Sequence, residues 1–339
     1  MRVQNIGFNN TFKSLKLTNN SNNFSDTSFY RDPRTLADTT KHLQEAFPEG
    51  CDILDFAGSN GEESISLYTF LNKDNKNKYK IYSYDTSEKA IDLAKKGVYT
   101  LYRPMSFDQF LLSDFNFEYL LPGNVEYIKE IRDSFSSIME RTEKPEHTIN
   151  DEDFVEYIKT FPQYSMEYYK IKDKYKTDFN FELGNINDIE NLAKGKKVGA
   201  VLFRNAMYIE TDNFGPNQFD FEYDANLNKR NIIENLVAKV HKILEPNGVF
   251  VLGNIEKDHI YVADNSAKDE EKFFLNEFFV DIFKESPLWQ ALNKDKRFET
   301  IGYSTVTQAV VMDNTDLVPT IWRKNNTLFS KACKMLKIG

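Results

Sequence analysis

The stretch Cys51–Glu63, CDILDFAGSNGEE, constrains this chain more than any other. Ile53, Leu54 and Phe56 give the apolar run of a buried strand, which Asp55 interrupts, and Gly58 and Gly61 permit a tight turn. Glu62 and Glu63 then open an apolar-periodic run, Ile65, Leu67, Tyr68 and Leu71, that reads as a helix. A strand, a glycine turn and a helix in this order cradle nucleotide-like cofactors in α/β folds, and they also build ordinary βα turns. The dinucleotide fingerprint GxGxxG is missing, because the turn reads AGSNG with Ala57 at the first position.

The totals narrow the class. A chain of 339 residues buries a substantial core and fits one elaborated domain or two ordinary ones. A hydrophobic fraction of 40% with 28% charged residues is that of a soluble globular protein. No apolar run approaches the roughly 18 residues of a membrane helix, which argues against membrane insertion. The opening MRVQNIGFNN lacks the apolar core of a secretory signal, so the expected location is cytoplasmic. Cys51 and Cys333 make neither a disulfide framework nor a metal site, and the four histidines show no metal-ligand spacing, so no metal is expected. A net charge of −9 without a long basic run argues against a nucleic-acid partner. The 28 Phe and 18 Tyr are mostly core residues, with the clusters in mid-chain as candidates to line a pocket. No oligomeric state follows from any of this.

Along the chain, residues 1–24 are polar and aperiodic and read as a flexible leader. Aromatic residues and Arg31 follow in SDTSFYRD, and a helix runs from Leu36 towards Pro48 and Gly50. After the central strand and helix, Tyr79–Tyr84 alternates as a second strand ending at Asp85, 24 positions beyond Gly61. That is where doubly wound folds place the carboxylate that receives ribose hydroxyls, and Asp85 also suits the N-cap of the helix Thr86–Lys96, which stops at Gly97. Residues 99–177 are too long for a plain βα connection and read as an inserted cap or subdomain within a domain spanning 25–339. Helices are expected at Val125–Glu140 and Asp151–Thr160, and a strand or hairpin in YSMEYYKIKDKY. Strands follow at Asp178–Leu183, ending at Asn185 and Ile186, and at Lys197–Phe203, ending at Arg204 and Asn205. A helix over Asn231–Leu244, a strand at Val249–Gly253 and a helix at Phe273–Phe283 come next, after the acidic, aromatic loop Thr211–Asn228. Phe298–Ser304 and Thr307–Met312 read as a terminal antiparallel pair, to which Leu317–Trp322 adds. The order predicts an α/β fold with a mostly parallel sheet.

On such a sheet Ala57, Gly58, Glu63, Asp85, Asn185, Arg204 and Asn205 collect around one crevice at the carboxyl ends of the strands. An acidic crevice without a phosphate-cradling glycine loop suits S-adenosylmethionine, which carries a sulfonium, an amino-acid tail and an adenosine. The motifs, taken in order, resemble the CheR-type methyltransferases, which methylate glutamate side chains of chemotaxis receptors. TSFYRD (Thr27–Asp32) is similar to T-x-F-F-R-D/E, and FAGSNGEESISL (Phe56–Leu67) to S-A-G/A-x-S/T-x-G-E-E-P-Y-S-L. YDTSEKAIDLAKKGVY (Tyr84–Tyr99) is similar to D-I-D…A-R-x-G-x-Y, FELGNI (Phe181–Ile186) to F-x-x-x-N-L, and FRNAMYI (Phe203–Ile209) to F-C-R-N-V-x-I-Y. LEPNGVFVLGNIE (Leu244–Glu256) is similar to L-x-P-G-G-x-L-x-L-G-H-S-E.

The resemblance implies a class I methyltransferase, Rossmann-like fold with helices on both faces and antiparallel strands at the C-terminal end. It implies that Thr27 and Arg31 meet the amino-acid end of S-adenosylmethionine and that Ala57 and Gly58 lie against it. Glu63 would contact the methionine moiety, Asp85 the ribose, and Asn185 with Ile186 the adenine. Arg204 and Asn205 would border the methyl-transfer side. By their chemistry Arg204 and Tyr208 are the expected catalytic residues, Arg204 orienting an acceptor carboxylate by paired hydrogen bonds and Tyr208 donating to it. This chain departs from the family pattern at several places. The family's tyrosine near the transferred methyl falls at Ile209, with Tyr208 one position early, its Pro is Ser64, and its helical N-terminal domain has only 24 residues here in its place. The expected function is S-adenosylmethionine-dependent O-methylation of a carboxylate, on a methyl-acceptor protein (a glutamate side chain) or a small molecule. Alternatives are a small-molecule methyltransferase, with the insertion as its lid, and a cofactor-binding sensor or partner-binding module that has lost catalysis.

Overall fold

Alternating apolar residues divide a single sheet between two cores. The computed structural model describes residues 17–18, 24–25, 29–30, 33–71, 76–103, 133–143, 165–204, 227–252, 287–305 and 317–325. In chain order, β1 (Leu17–Thr18) and β2 (Phe24–Ser25) pair antiparallel within the stretch expected as a leader. Next come β3 (Asp52–Phe56) and β4 (Lys80–Asp85), then β5 (Val98–Arg103), β6 (Met139–Thr142) and β7 (Ser165–Ile171). The last five strands are β8 (Phe179–Leu183), β9 (Val198–Phe203), β10 (Leu244–Leu252), β11 (Phe298–Thr305) and β12 (Leu317–Lys324).

The main sheet has seven strands in the order β11-β12-β10-β9-β3-β4-β8. Its core pairs, β10–β9, β9–β3, β3–β4 and β4–β8, are parallel, while β12 runs antiparallel between β10 and β11. This is the mostly parallel α/β sheet with an antiparallel end that the sequence predicts, in the strand order of the class I methyltransferase fold. Because the chain leaves β3 on one side and returns to β9 on the other, the reversal of strand order lies at β3. Ligands of open α/β sheets bind outside the carboxyl ends of the strands at such a reversal.

Neighbouring residues of each strand face opposite layers. Ile53, Ala200, Leu202, Val249, Val251 and Ile321 join a core with α1 (Pro33–Ala46), α2 (Glu62–Thr69) and α3 (Glu88–Lys96). Leu54, Phe56, Val201, Phe203, Phe250, Leu252 and Trp322 join the other core with α5 (Ile189–Leu192), α6 (Leu227–Ile243) and α7 (Pro287–Lys294). Each fully buried Leu, Ile or Phe contributes about 1.5–3 kcal/mol. Asp55 stands two residues after Ile53 on the same strand, so an acidic side chain occupies a core position under α2.

Within 99–177, β5, β7 and β6 form a separate antiparallel sheet in that order, and α4 (Asp173–Lys176) is a single turn after β7. The helix expected at Val125–Glu140 is cut short, because residues 133–138 are helical but Met139 already belongs to β6. Among the described residues the partner of β11 is Leu317–Lys324; Thr307–Met312, expected to pair with it, lies outside the described residues. This segment contains Pro319, and proline cannot donate to a ladder. It is tolerated where β12 pairs with β11 through Tyr303, away from Ile321–Arg323 where β10 pairs on the other side. Pro246–Gly248, ahead of the strand expected from Val249, is an irregularity inside β10, with Leu244 opposite Val198 but Val249 opposite Ala200. The helices expected at Asp151–Thr160 and Phe273–Phe283 lie outside the described residues, as does all of the Thr211–Asn228 loop except Leu227 and Asn228, which open α6.

One close approach fixes how the loop after β3 crosses β4. A Cβ built on Gly58 would overlap Ser83 Oγ and lie 3.1 Å from Asp55 Oδ2. Gly58→Ala is expected to cost about 1–3 kcal/mol by overpacking. Among the described residues Ser83 Oγ finds no hydrogen-bond partner, so Ser83→Ala alone should be close to neutral. The double variant should recover most of the loss in chemical denaturation, and a double variant no more stable than Gly58→Ala contradicts this contact.

Candidate active site

The turn between β3 and α2 is built from left-handed residues, of which only one is glycine. Ala57 has φ 57°, Ser59 φ 50° and Gly61 φ 90°. A side chain in this region costs about 1–3 kcal/mol, so the surroundings must hold Ala57 and Ser59 in place. Four hydrogen bonds do so. The Gly58 N–H donates to Tyr84 O at 3.1 Å, and the Gly61 N–H closes the turn on Gly58 O at 2.9 Å. The Ser59 N–H donates to Asp85 Oδ2 at 2.9 Å, and the Tyr99 hydroxyl donates to Asn60 O at 3.0 Å. Gly61 admits no side chain in any case, since a Cβ there would lie 2.6 Å from the Phe181 ring.

Asp85 joins the ends of neighbouring strands. While Oδ2 holds Ser59, Oδ1 accepts the Ser87 N–H at 2.8 Å. The helix after β4 begins at Glu88 and is capped by Ser87, whose Oγ accepts the Ala90 N–H at 3.3 Å. Asp85 therefore does not cap that helix as one reading of the sequence had it. It fastens the residue that does.

Carboxylates crowd the start of α2. Glu62 and Glu63 stand in its first turn and are buried, as are Asp55 and Asp85. The Glu63 carboxylate faces the Arg204 guanidinium at 3.2 Å, with the arginine side chain fully buried. The Ser64 hydroxyl donates to Asp55 Oδ2 at 2.5 Å. Burial, and then the neighbouring Glu63 charge, hold the Asp55 carboxyl well above the usual carboxylate range, against the opposing pull of Ser64 and Arg204.

Each expected site residue has a definite position or lies outside the described residues. Ala57, Gly58, Glu63 and Asp85 come together around the turn. Asn185 is at the end of β8, where its Oδ1 accepts the Asn187 N–H at 2.8 Å and caps a 3-10 turn, Ile186–Asp188. The Ile186 side chain is buried in the core with Phe56 and Tyr84, which leaves its backbone as the part able to meet a ligand. Arg204, expected to orient an acceptor carboxylate, instead meets a carboxylate of the chain itself. Thr27, Arg31, Asn205 and Tyr208 lie outside the described residues. The sequence reading missed Asp55 as a site residue, although an acid inside a buried strand was its visible signal. It also missed Ser59, whose contribution is a backbone N–H that no side-chain pattern announces, and Tyr99.

The donors fit S-adenosylmethionine better than a phosphate-bearing cofactor. A phosphate-binding turn leaves the positive end of its helix open to an anion. Here two buried carboxylates occupy that end, and a sulfonium with an ammonium tail is the complementary charge. Among the described residues no cluster of His, Cys, Asp and Glu can hold a metal ion, and no helix is long and apolar enough to cross a membrane.

Comparison with known proteins agrees on the cofactor. Residues 25–108 match the family model described as CheR methyltransferase, SAM binding domain. No curated protein matches the sequence. Similar solved structures include TrmN from Thermus thermophilus, 10% identical, covering 84% of this chain and 48% of that one with a TM-score of 0.35. An rRNA methylase from Streptococcus thermophilus is 12% identical, covering 86% of this chain and 93% of that one, with a TM-score of 0.33. An O-methyltransferase from Bacillus cereus in complex with SAH is 10% identical, covering 87% and 80%, with a TM-score of 0.37. The chain thus spans about half the length of TrmN. Scores this low carry no argument, and the fold rests on the strand order itself.

Asp55 makes stability depend on pH. Its carboxyl holds a proton more tightly in the folded chain than in the unfolded one, so it supports folding at low pH and loses that contribution as pH rises towards its folded value. Each unit of upward shift is worth about 1.4 kcal/mol. Asp55→Asn keeps an acceptor for Ser64 and cannot ionise. Its melting temperature relative to the wild type should therefore rise between about pH 4 and about pH 8. Parallel curves for the two proteins would show that the charge on Asp55 costs the fold nothing.

Proposed function

From the match of residues 25–108 to the CheR methyltransferase SAM-binding domain model, we propose that the chain is a methyltransferase that transfers the methyl group of S-adenosylmethionine to a carboxylate oxygen. The observation that carries this reading is the charge of the site. Three buried carboxylates, Glu62, Glu63 and Asp85, gather at the turn, with Arg204 on Glu63, beside Asp55, which is pushed towards protonation. Such a site favours a cationic donor.

In this reading Asp85 receives the ribose hydroxyls, Ala57 and Gly58 pass beneath the cofactor, and Glu63 meets its methionine end. Asn185 and the Ile186 backbone border the adenine. Thr27, Arg31 and Asn205 take the cofactor contacts that the family resemblance gives them. Arg204 acts through Glu63, holding that carboxylate in place, and Tyr208 is left as the group that donates to the acceptor. Bound S-adenosylmethionine supplies an electrophilic methyl on a cationic sulfur. The protein aligns the acceptor with it and keeps water out. A carboxylate acceptor is already ionised at neutral pH and needs no general base. This agrees with a described site whose titratable groups are carboxylates, tyrosine and one guanidinium, with no histidine. The acceptor is a protein glutamate side chain or a small carboxylic acid.

Calorimetry with S-adenosylmethionine and S-adenosylhomocysteine tests the premise, with binding of both expected and binding of neither contradicting it. Tritiated methyl transfer into a lysate should then label products that lose the label in mild base, as carboxyl esters do. A base-stable label would mean another acceptor class, and binding without turnover would mean a cofactor sensor. Asp85→Ala should weaken S-adenosylhomocysteine binding by about tenfold to a hundredfold, the worth of hydrogen bonds to a charged group. Asp85→Asn, which still accepts one backbone N–H, should lose less, and unchanged affinity in both variants rules out the ribose assignment.

A further inference from the structure

We propose that Tyr99, on the first strand of the inserted three-stranded sheet, is a positioning residue for the cofactor turn, its hydroxyl holding the Asn60–Gly61 peptide in the orientation the cofactor needs. The proposal rests on the reading of that turn as the S-adenosylmethionine site.

Asn60 C=O and Gly61 N–H belong to the same planar group, so orienting one orients the other. The N–H end closes the turn on Gly58 O at 2.9 Å, and the C=O end accepts the Tyr99 hydroxyl at 3.0 Å. Glycine tolerates φ of either sign, so the Gly61 side of this peptide resists a flip less than any other residue would. The residue that allows the turn therefore leaves it under-determined, and the hydroxyl supplies the missing restraint. A flipped peptide would release the Gly61 N–H and alter the path between Ser59 and Glu62, which carries the turn and the first acidic residue of α2.

Tyr99 is itself fixed. It is buried, and its ring packs edge-on against Phe29 with centroids 5.3 Å apart. Phe29 meets Phe135 at 5.7 Å, and Phe135 meets Tyr169 at 5.5 Å. Tyr169 is also the β7 residue paired with Tyr99 on β5. A strut of aromatic rings thus runs from the inserted sheet, through the segment ahead of α1, to a backbone carbonyl of the turn. Burial, and then the charge of Glu62, hold the hydroxyl proton on well above its usual range, so Tyr99 acts as a neutral donor. The motif that ends at Tyr99 resembles the family pattern, and the chemistry proposed above gives its last residue no role.

The test uses the full chain and S-adenosylhomocysteine as probe. Tyr99→Phe should bind about tenfold more weakly than the wild type, and 4-aminophenylalanine at position 99, which keeps a donor, should restore most of that affinity. A role confined to stability would lower the melting temperature of Tyr99→Phe and leave its Kd at the wild-type value, and that result overturns the proposal. Should Tyr99→Phe not fold, amide hydrogen exchange of the wild type decides. Saturation with S-adenosylhomocysteine should protect the turn amides from 58 to 62 together with those of Val98–Leu101, and protection confined to the turn overturns the proposal. If the wild type binds neither S-adenosylmethionine nor its product, the cofactor reading itself fails, and that outcome is distinct from equal binding by wild type and variant.

Discussion

The residues from Ala57 to Gly61 adopt a conformation they would not hold alone, and the organisation of the site follows from what holds them. Two left-handed residues carry side chains, so the turn stores strain that must be offset by its surroundings. The restraints come from separate parts of the chain: the Tyr84 carbonyl and the Asp85 carboxylate at the end of β4, and the Tyr99 hydroxyl from β5. Each is a hydrogen bond to backbone. Ala57 and Ser59 can therefore carry side chains in a left-handed conformation, whereas Gly58 and Gly61 admit none, which explains how AGSNG can stand where a glycine-richer loop is the usual solution.

Electrostatics adds the second constraint. A buried carboxylate tends either to acquire a partner or to retain its proton, and both outcomes occur within one site. Glu63 has Arg204 at 3.2 Å, whereas Asp55, under α2 with Ser64, is pushed towards protonation. The first outcome preserves a negative charge where a cationic cofactor would lie. The second limits the repulsion among neighbours that are too close to ionise together without cost. Ser64 stands where the resembling family has proline, and its hydroxyl gives Asp55 a donor that proline lacks.

Much of this architecture was legible in the sequence because its signals are local and periodic. Strands expected at Tyr79–Tyr84, Asp178–Leu183 and Lys197–Phe203 form within one residue of those bounds. Gly97 ends α3 in the left-handed conformation, with its N–H bonded to Leu93 and Ala94, as a C-terminal glycine should. What escaped the sequence depends on pairings across the fold. That Leu317–Lys324 itself pairs with β11, and also lies between β11 and β10, depends on the assembled sheet. Arg204 was visible at a strand end, but its use on Glu63 depends on how β9 and α2 lie against each other. Tyr99 and Asn60 are 39 residues apart, and no spacing rule connects a hydroxyl with a backbone carbonyl over that distance.

The central claim is that the acidic turn after β3 is the S-adenosylmethionine site and that its shape is set by backbone restraints. A crystal structure of the chain with S-adenosylhomocysteine tests this most directly. The account predicts the ligand across the carboxyl ends of β3 and β4, its ribose hydroxyls bonded to Asp85, its amino-acid end towards Glu63, and the left-handed residues at 57, 59 and 61 unchanged. A ligand bound elsewhere, or a turn that reorganises to admit it, would contradict the account.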